Sequence, residues 1–308
     1  MRRFFALAGK AVLLGGGLFV LWLFAVWPPP VWYRTHWPAE TAFQAMRRGT
    51  PVRPSDRATV RLYHPVPLDS ISKWVPLAVM TGEDQRFREH GGIDWVNLRR
   101  ALGYPRDRFT WGVSRDRADL RKALGRAWER RAALRGASTL TQQLAKNLYL
   151  SPSRNPLRKV KEAVTTYRLE AALGKDRILE LYLIVAEMGG EVWGVEAASE
   201  RYFDRPAADL NLDQAAAIAG MLPFPLRSNP GFHPGRMQSR QRLILRVIRG
   251  EEVEVPPVAE EEAMPVPVES LPPIPVDTTT ALPVDSSAPA LPESLPPVIP
   301  DSVPPATP

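Results

Sequence analysis

A run of 17 residues without a charged side chain lies near the start of the chain, from Ala11 to Trp27. As a helix it covers roughly 26 Å, and extension back to Phe4 gives enough length for a hydrocarbon core of ~30 Å. Basic residues precede the run, so the positive-inside rule places the N-terminus in the cytoplasm. Residues 1–30 are therefore predicted to form a cytoplasmic N-terminus and a transmembrane helix. A cleaved signal peptide is the alternative, although VWPPPVW offers no small-residue cleavage site.

The other end of the chain has a composition that does not support a packed core. Residues 251–308 contain 16 of the 33 prolines and eleven acidic residues, but no Lys or Arg. Such a segment cannot bury enough apolar surface to offset the entropy lost on ordering it. We predict that residues 251–308 form a disordered, acidic, Pro-rich tail that acts as a tether or spacer.

The charge of the remaining chain is strongly positive. Residues 1–250 carry all 40 Lys and Arg but only 22 of the 33 acidic residues, a net charge of +18. This balance suits phosphate-bearing ligands or anionic lipid headgroups. Zinc-finger spacing and RNA-binding aromatic motifs are missing from the sequence, so no nucleic-acid partner is predicted. The chain has no cysteine, which excludes disulfides, thiolate catalysis and cysteine metal sites.

Between the two ends the sequence favours one helical domain. Residues 71–250 contain Leu- and Ala-rich segments with helical periodicity, and we predict a mainly all-α domain there. Residues 31–70 are predicted to be a membrane-proximal linker.

A polar helix is predicted in GASTLTQQLAKNLYL, from Gly136 to Leu150. Thr139 and Gln142 have capping-box spacing, which places a helix start there. Leucines at intervals of four residues then form an apolar stripe, while amide and lysine side chains gather on the adjoining face. Taken alone, that polar face is more typical of a solvated surface than of a binding site.

The next helix carries the strongest cationic pattern. Asn155 and Pro156 are typical of a helix start, and Gly174 is typical of its end. Arg158 and Glu162 share one face of this helix. Lys146, Arg154 and Lys159 could converge with Arg158 where the two helices meet, although a plain surface ion pair would show the same spacing.

Six segments together identify a family. They are GEDQRFREHGGIDW, GASTLTQQLAKN, RKVKE, ILELYL, GVEAASERYF and LPFPLRSNP. In this order they resemble the motifs of the peptidoglycan glycosyltransferases (glycosyltransferase family 51), and the chain is similar to the monofunctional biosynthetic transglycosylases of that family over residues 71–250. The resemblance implies a lysozyme-like helical domain beside a membrane-facing lobe.

The resemblance also implies the reaction. Members polymerise lipid II, the lipid-linked disaccharide-pentapeptide, into β-1,4 glycan strands and release undecaprenyl pyrophosphate. The donor is the growing strand, the acceptor is the 4-hydroxyl of a lipid II sugar, and the enzyme is an inverting glycosyltransferase of cell wall biosynthesis. The implied location is the bacterial cytoplasmic (inner) membrane, single-pass, with the catalytic domain in the periplasm. Other cell-wall synthesis proteins are candidate partners, although the sequence identifies none.

By position in the motifs, Glu83 matches the general base of the family and Glu162 its second catalytic glutamate. Further positions match substrate-binding residues of the family. They are Asp84, Phe87, Ser138, Thr139, Gln142, Gln143, Lys146, Asn147, Arg154 and Arg158.

These residue types suit the chemistry of the reaction. A sugar hydroxyl needs a carboxylate to remove its proton, and a pyrophosphate leaving group needs cations rather than a protonated acid. Arginine adds bidentate contacts to phosphate oxygens. No cofactor is predicted to be obligatory, and the sequence leaves open whether Glu162 orients these cations or shares a divalent ion, Mg²⁺ or Mn²⁺, with the pyrophosphate.

The sequence departs from the family pattern at a few places. Ile184 stands where asparagine is common, and Glu191 replaces a glycine, so we expect altered local packing with activity retained. Residues 103–135 form a long arginine-rich insertion that could lie on anionic headgroups or be a solvated helix. Ser70 and Lys73 have S-x-x-K spacing, but no S-D-N or K-T-G follows, which excludes a transpeptidase.

Two other functions share part of this pattern. A lytic transglycosylase or muramidase would also use a helical fold and a catalytic glutamate, but it would not need the cationic cluster. An anchored scaffold that binds lipid II in an inactive cleft is the second alternative, and the presence of both glutamates argues against it.

Overall fold

The computed structural model describes residues 2–47, 61–106, 109–129, 138–150 and 156–256. Helices dominate this part of the chain, so the prediction of a mainly α-helical domain is confirmed. A small sheet of three short strands accompanies the helices.

The elements follow one another along the chain in this order. The first helices are α1 (Arg2–Phe24), α2 (Ala42–Arg47), α3 (Trp74–Glu83), α4 (Trp95–Ala101) and α5 (Ser114–Glu129). The later helices are α6 (Leu140–Tyr149), α7 (Pro156–Ala172), α8 (Lys175–Val185), α9 (Val195–Phe203), α10 (Leu212–Met221) and α11 (Gly235–Ile248). The strands are β1 (Leu62–Tyr63), β2 (Glu187–Gly189) and β3 (Val192–Trp193), and short 3₁₀ turns cover Pro30–Arg34, Leu68–Ser70 and Ala207–Asp209.

The strands form a sheet in the order β1-β3-β2. β1 pairs with β3 in parallel, and β2 pairs with β3 in antiparallel orientation with an irregularity in register. The sheet joins the segment before α3 to the connection between α8 and α9.

Two groups of helices position the residues of interest. α10 packs against α3 and α11, while α6 packs against α7 and α8. Small residues let α10 and α11 approach closely, because a Cβ on Gly220 would lie only 2.8 Å from the carbonyl oxygen of Met237. The ends of α3, α6 and α11 are thereby brought together by one continuous apolar core.

Helix α1 does not support the predicted membrane span. Within the described ranges, no helix is both long enough and apolar enough to cross a membrane. The helix ends at Phe24, three residues before the end of the apolar run, and the Pro-rich turn follows. Several of its apolar side chains are exposed, and its C-terminal end lies beside α7, where Lys161 and Arg168 lie over the rings of Trp22 and Phe24.

The first residues of the predicted tail are ordered against the domain. Gly250 adopts a positive φ of 88°, which turns the chain after α11. Val255 is then buried in the same core as the helices. Residues 257–308, which hold most of the predicted disordered tail, lie outside the described residues.

Both departures from the family pattern lie close to the strands. Ile184 is buried near the end of α8, and its carbonyl oxygen would be only 2.4 Å from a Cβ on Gly194. Glu191 lies in the turn between β2 and β3 with a φ of 57°, a left-handed conformation that favours glycine. The substitution of glycine by Glu191 therefore introduces backbone strain in this turn.

Candidate active site

Glu83 is the last residue of α3, and its carboxylate is held from two sides. Gln143 on α6 donates its Nε2 hydrogen to Oε2 at 3.0 Å. Arg240 on α11 donates from Nη2 to Oε1 at 3.1 Å. The side chain is only 9% exposed, so the carboxylate is both oriented and largely shielded from water. Each oxygen keeps a further lone pair with which it can accept a proton.

The Gln143 side chain is fixed by a buried tyrosine. The Tyr182 hydroxyl on α8 donates to Gln143 Oε1 at 3.0 Å, which leaves the amide nitrogen to face Glu83. Burial raises the pKa of Tyr182 well above its ordinary value, and the nearby Glu83 carboxylate raises it further. Tyr182 is therefore a neutral donor, and the chain Tyr182–Gln143–Glu83 defines the amide orientation.

The residue after Glu83 joins α3 to α6. Asp84 accepts a hydrogen bond from the backbone N–H of Leu140 at 3.1 Å and contacts His90 Nε2 at 3.0 Å. His90 Nδ1 accepts from the N–H of Gly92, so Nε2 is the protonated nitrogen that donates to Asp84. This network fixes the end of α3, and hence Glu83, relative to the start of α6.

Asp84, His90 and Asp94 are also close enough to bind a cation. One ligand atom from each lies within 4.8 Å of the others. However, Asp94 Oδ1 accepts the N–H groups of Val96 and Asn97 at the start of α4, and Asp84 is occupied as described. These contacts place Asp84, His90 and Oδ1 of Asp94 in a structural network, whereas the buried Oδ2 of Asp94 has no hydrogen-bond partner among the described residues.

Glu162 forms a second, cationic cluster. It is 1% exposed, and its Oε2 accepts from Arg158 Nη1 at 2.9 Å. Lys159 Nζ donates to Oε1 of the same carboxylate and to Ser138 Oγ at 3.1 Å. One buried carboxylate therefore pairs with two cations, the largely buried Arg158 and the half-exposed Lys159.

Helix α6 connects these two clusters. Gln143 contacts Glu83, whereas Ser138, just before the helix, contacts Lys159 of the Glu162 cluster. The shielded carboxylate and the pair of cations thus both contact the N-terminal part of α6 or Ser138 just before it.

The sequence is similar to known enzymes over most of its length. Residues 106–249 match the Transglycosylase family. A biosynthetic peptidoglycan transglycosylase of Bordetella avium is 37% identical over 232 residues, which cover 75% of this chain and 89% of the relative. One from an Azoarcus species is 36% identical over 260 residues, 83% of this chain and all of the relative, and one from Citrobacter koseri is 43% identical over 182 residues, 59% and 66%.

The chain belongs to the biosynthetic peptidoglycan transglycosylases. It is accordingly a peptidoglycan glycosyltransferase of cell wall biosynthesis, and its relatives are bacterial, which associates it with the cell envelope.

The predicted site residues of this transglycosylase fall into three groups in space. Gln143 contacts Glu83, and Arg158 and Ser138 belong to the Glu162 cluster. Lys146, further along α6, lowers the pKa of Glu187 on β2 through its positive charge. Arg154 lies outside the described residues.

The remaining predicted residues support the fold around the site. Phe87 is completely buried, and Lys175 lies over its ring. Thr139 and Gln142 form the predicted capping box of α6. Asn147 is buried on the same helix, and Asp84 accepts hydrogen bonds from His90 and from the backbone N–H of Leu140. The described contacts give these side chains a packing or capping role, and their contact with substrate stays a prediction.

Two residues of the transglycosylase site were missed by the sequence reasoning. Tyr182 lies within ILELYL, where its position in a leucine-rich helix indicates only core packing. Arg240 is one of several arginines on α11, and its spacing does not distinguish it from the exposed Arg242 or Arg246. Only the tertiary structure brings Tyr182 and Arg240 to Glu83.

Proposed function

We propose that this transglycosylase polymerises lipid II into β-1,4 glycan strands and releases undecaprenyl pyrophosphate. The observation that carries the proposal is the environment of Glu83, a shielded carboxylate held by an amide and a guanidinium. Such a group is oriented to accept a proton and has few competing water contacts.

Glu83 acts as the general base in this proposal. Its carboxylate removes the proton from the 4-hydroxyl of the acceptor sugar, and the hydroxyl oxygen bonds to the anomeric carbon of the donor. The bond from that carbon to the pyrophosphate oxygen breaks, and its electron pair leaves with the pyrophosphate. One direct displacement of this kind converts an α-linked donor into a β-linked product.

The Glu162 cluster stabilises the leaving group. Negative charge increases on the pyrophosphate as the bond breaks, and preorganised cations lower the energy of that state. Both cations pair with Glu162, and the largely buried Arg158 needs little reorganisation when the charge develops. Lys146 and Arg154 are assigned to phosphate binding by their positions in the sequence motifs alone.

This arrangement does not require a divalent cation. Arg158 and Lys159 already balance the charge of Glu162 and would repel a further cation, so this carboxylate is poorly suited to hold Mg²⁺ or Mn²⁺ as well. No step of the proposed mechanism is therefore routed through a metal.

The substrate also determines where the enzyme works. A lipid-linked donor and acceptor place the reaction at a membrane surface, which we assign to the outer face of the cytoplasmic membrane. Single-pass attachment and protein partners in cell wall synthesis remain predictions from the sequence.

Purified full-length protein tests the proposal directly. With lipid II in detergent, we expect glycan polymers to form, and with finished peptidoglycan we expect no soluble fragments. Fragment release without polymer formation would instead indicate a lytic enzyme. Binding of lipid II without either reaction would indicate an inactive scaffold and would contradict the proposal.

A further inference from the structure

Arg240 connects Glu83 to the chain beyond the last helix. Its side chain is 7% exposed, and Nη2 donates both to Glu83 Oε1 at 3.1 Å and to the carbonyl oxygen of Gly82. Nη1 donates to the carbonyl oxygen of Pro256 at 2.7 Å. One guanidinium therefore contacts the end of α3 with one nitrogen and the C-terminal segment with the other.

The segment that supplies this carbonyl is anchored to the domain. Glu251 N–H bonds to the carbonyl of Arg246 at 3.0 Å after the turn at Gly250. Val255 is 9% exposed and belongs to the main core. These contacts hold residues 251–256 (the C-terminal segment) against the domain, so the Pro256 carbonyl has a defined position.

The geometry of a guanidinium makes this anchor relevant to Glu83. The group is planar and rigid, so a bond that fixes Nη1 also fixes the direction in which Nη2 donates. Among the described residues, Arg240 Nε has no hydrogen-bond partner. The orientation of the group consequently depends on its contacts with Gly82, Glu83 and Pro256.

We propose that Arg240 is a positioning residue for Glu83 and that the C-terminal segment is part of the catalytic unit, because the Pro256 carbonyl orients Arg240. This inference rests on the proposed function, in which Glu83 is the base. It extends the working enzyme six residues beyond the domain end at Gly250 that the sequence predicts.

The first test uses point variants of the full-length protein. Arg240→Ala is expected to lower kcat for lipid II polymerisation about 10- to 100-fold, the scale of a misplaced reacting group, with little change in KM. Arg240→Lys should recover part of the loss, since it keeps a donor and a charge but not the planar fork. Arg242→Ala is the matched control, because Arg242 is exposed on the same helix, and its kcat should stay unchanged.

A double-mutant cycle separates positioning from general stability. If Arg240 acts through Glu83, adding Arg240→Ala to Glu83→Gln should cause almost no further loss of activity. If the fold losses of activity in the two single variants multiply in the double variant, the inference is overturned. Near-normal activity of Glu83→Gln alone would instead overturn the proposed function, so the two failures are distinguishable.

Two shortened chains test the C-terminal segment. A chain that ends at Val258 keeps the Pro256 carbonyl and should have the kcat of the full-length protein. A chain that ends at Gly250 lacks the Pro256 carbonyl. Its kcat should fall at least as far as that of Arg240→Lys and at most as far as that of Arg240→Ala.

The variant Val255→Ala in the full-length chain is the control for the loss of core packing that truncation causes. This variant removes core contacts but keeps the carbonyl, so it should lower the unfolding temperature more than it lowers kcat. Full activity of the Gly250-terminated chain would overturn the role of the segment. If the Gly250-terminated chain does not fold, Val255→Ala decides the question. The role of the segment would be overturned if Val255→Ala lost activity in proportion to its own loss of stability.

Discussion

Three side chains from three helices determine how Glu83 is presented. The amide of Gln143 and the guanidinium of Arg240 contact different oxygens of the carboxylate, and Tyr182 fixes the amide. An exposed glutamate would sample many rotamers and bind water. The buried arrangement instead commits the carboxylate to one direction, which is what proton removal from a sugar hydroxyl needs.

Removal of the Tyr182 hydroxyl tests this chain of contacts. In Tyr182→Phe the buried Gln143 Oε1 loses its donor, so we expect about 1 kcal/mol less stability and a severalfold lower kcat. Denaturant unfolding and lipid II polymerisation measure the two effects. Tyr167→Phe, an exposed tyrosine on α7, is the control, and equal effects in both variants would contradict the assignment.

Glu191 offers a prediction about backbone strain. Its φ of 57° is costly for a residue with a Cβ, and its ion contact with Arg61 is long, at 4.0 Å. Glu191→Gly should therefore raise the free energy of unfolding by about 1 kcal/mol. Glu191→Ala keeps the Cβ and should give no such gain. If alanine stabilises as much as glycine, the carboxylate rather than the backbone is responsible.

At the level of helices, the start of α6 shows what the sequence could predict. Thr139 and Gln142 have the spacing of a capping box, and the structure contains it. This succeeded because capping depends on residues a few positions apart. The contact of Asp84 with the Leu140 N–H joins residues 56 positions apart, and no local pattern predicts it.

The Asp84 contact should be important for stability. Asp84→Ala removes the acceptor of a buried backbone N–H and the partner of His90, so we expect a loss of about 1–3 kcal/mol. Asp69→Ala, at an exposed position, should cost much less. Denaturant unfolding compares the two, and similar costs would show that the network does not couple α3 to α6.

For the whole molecule, the helical class and the order of motifs were predictable, but the assembly of the site was not. Arg240 and Glu83 are 157 positions apart, and they meet because α3, α10 and α11 pack against one another. The polar face of α6 could be identified from periodicity. Only the tertiary structure shows which of its side chains contact Glu83 and which only cap the helix.

A buried ion pair between α2 and the small sheet makes the stability depend on pH. Glu187 on β2 accepts from Arg47 at 2.9 Å, with both side chains buried. Burial raises the pKa of Glu187 from 4.5 to about 7, more than Arg47 and Lys146 lower it, and Glu191 adds to the increase. The folded state therefore binds this proton more tightly than the unfolded state does.

This pKa sets the direction of the pH effect. Below about pH 4.5 Glu187 is protonated in both states, and the free energy of unfolding then falls as the pH rises to about 7. The decrease is at most about 3 kcal/mol. Glu187→Gln cannot titrate and should lack this part of the slope in unfolding measured between pH 5 and 8. An identical slope in both proteins would contradict the assignment.

The most direct test of the account is the rate of lipid II polymerisation by full-length Glu83→Gln. Glutamine keeps the size of the side chain but cannot take the proton, so the rate should fall by at least ~10²-fold while lipid II binding and the unfolding temperature change little. Glu89→Gln, an exposed glutamate in the same motif, should retain the normal rate. A rate for Glu83→Gln close to that of the unmodified protein would contradict the assignment of Glu83 as the base.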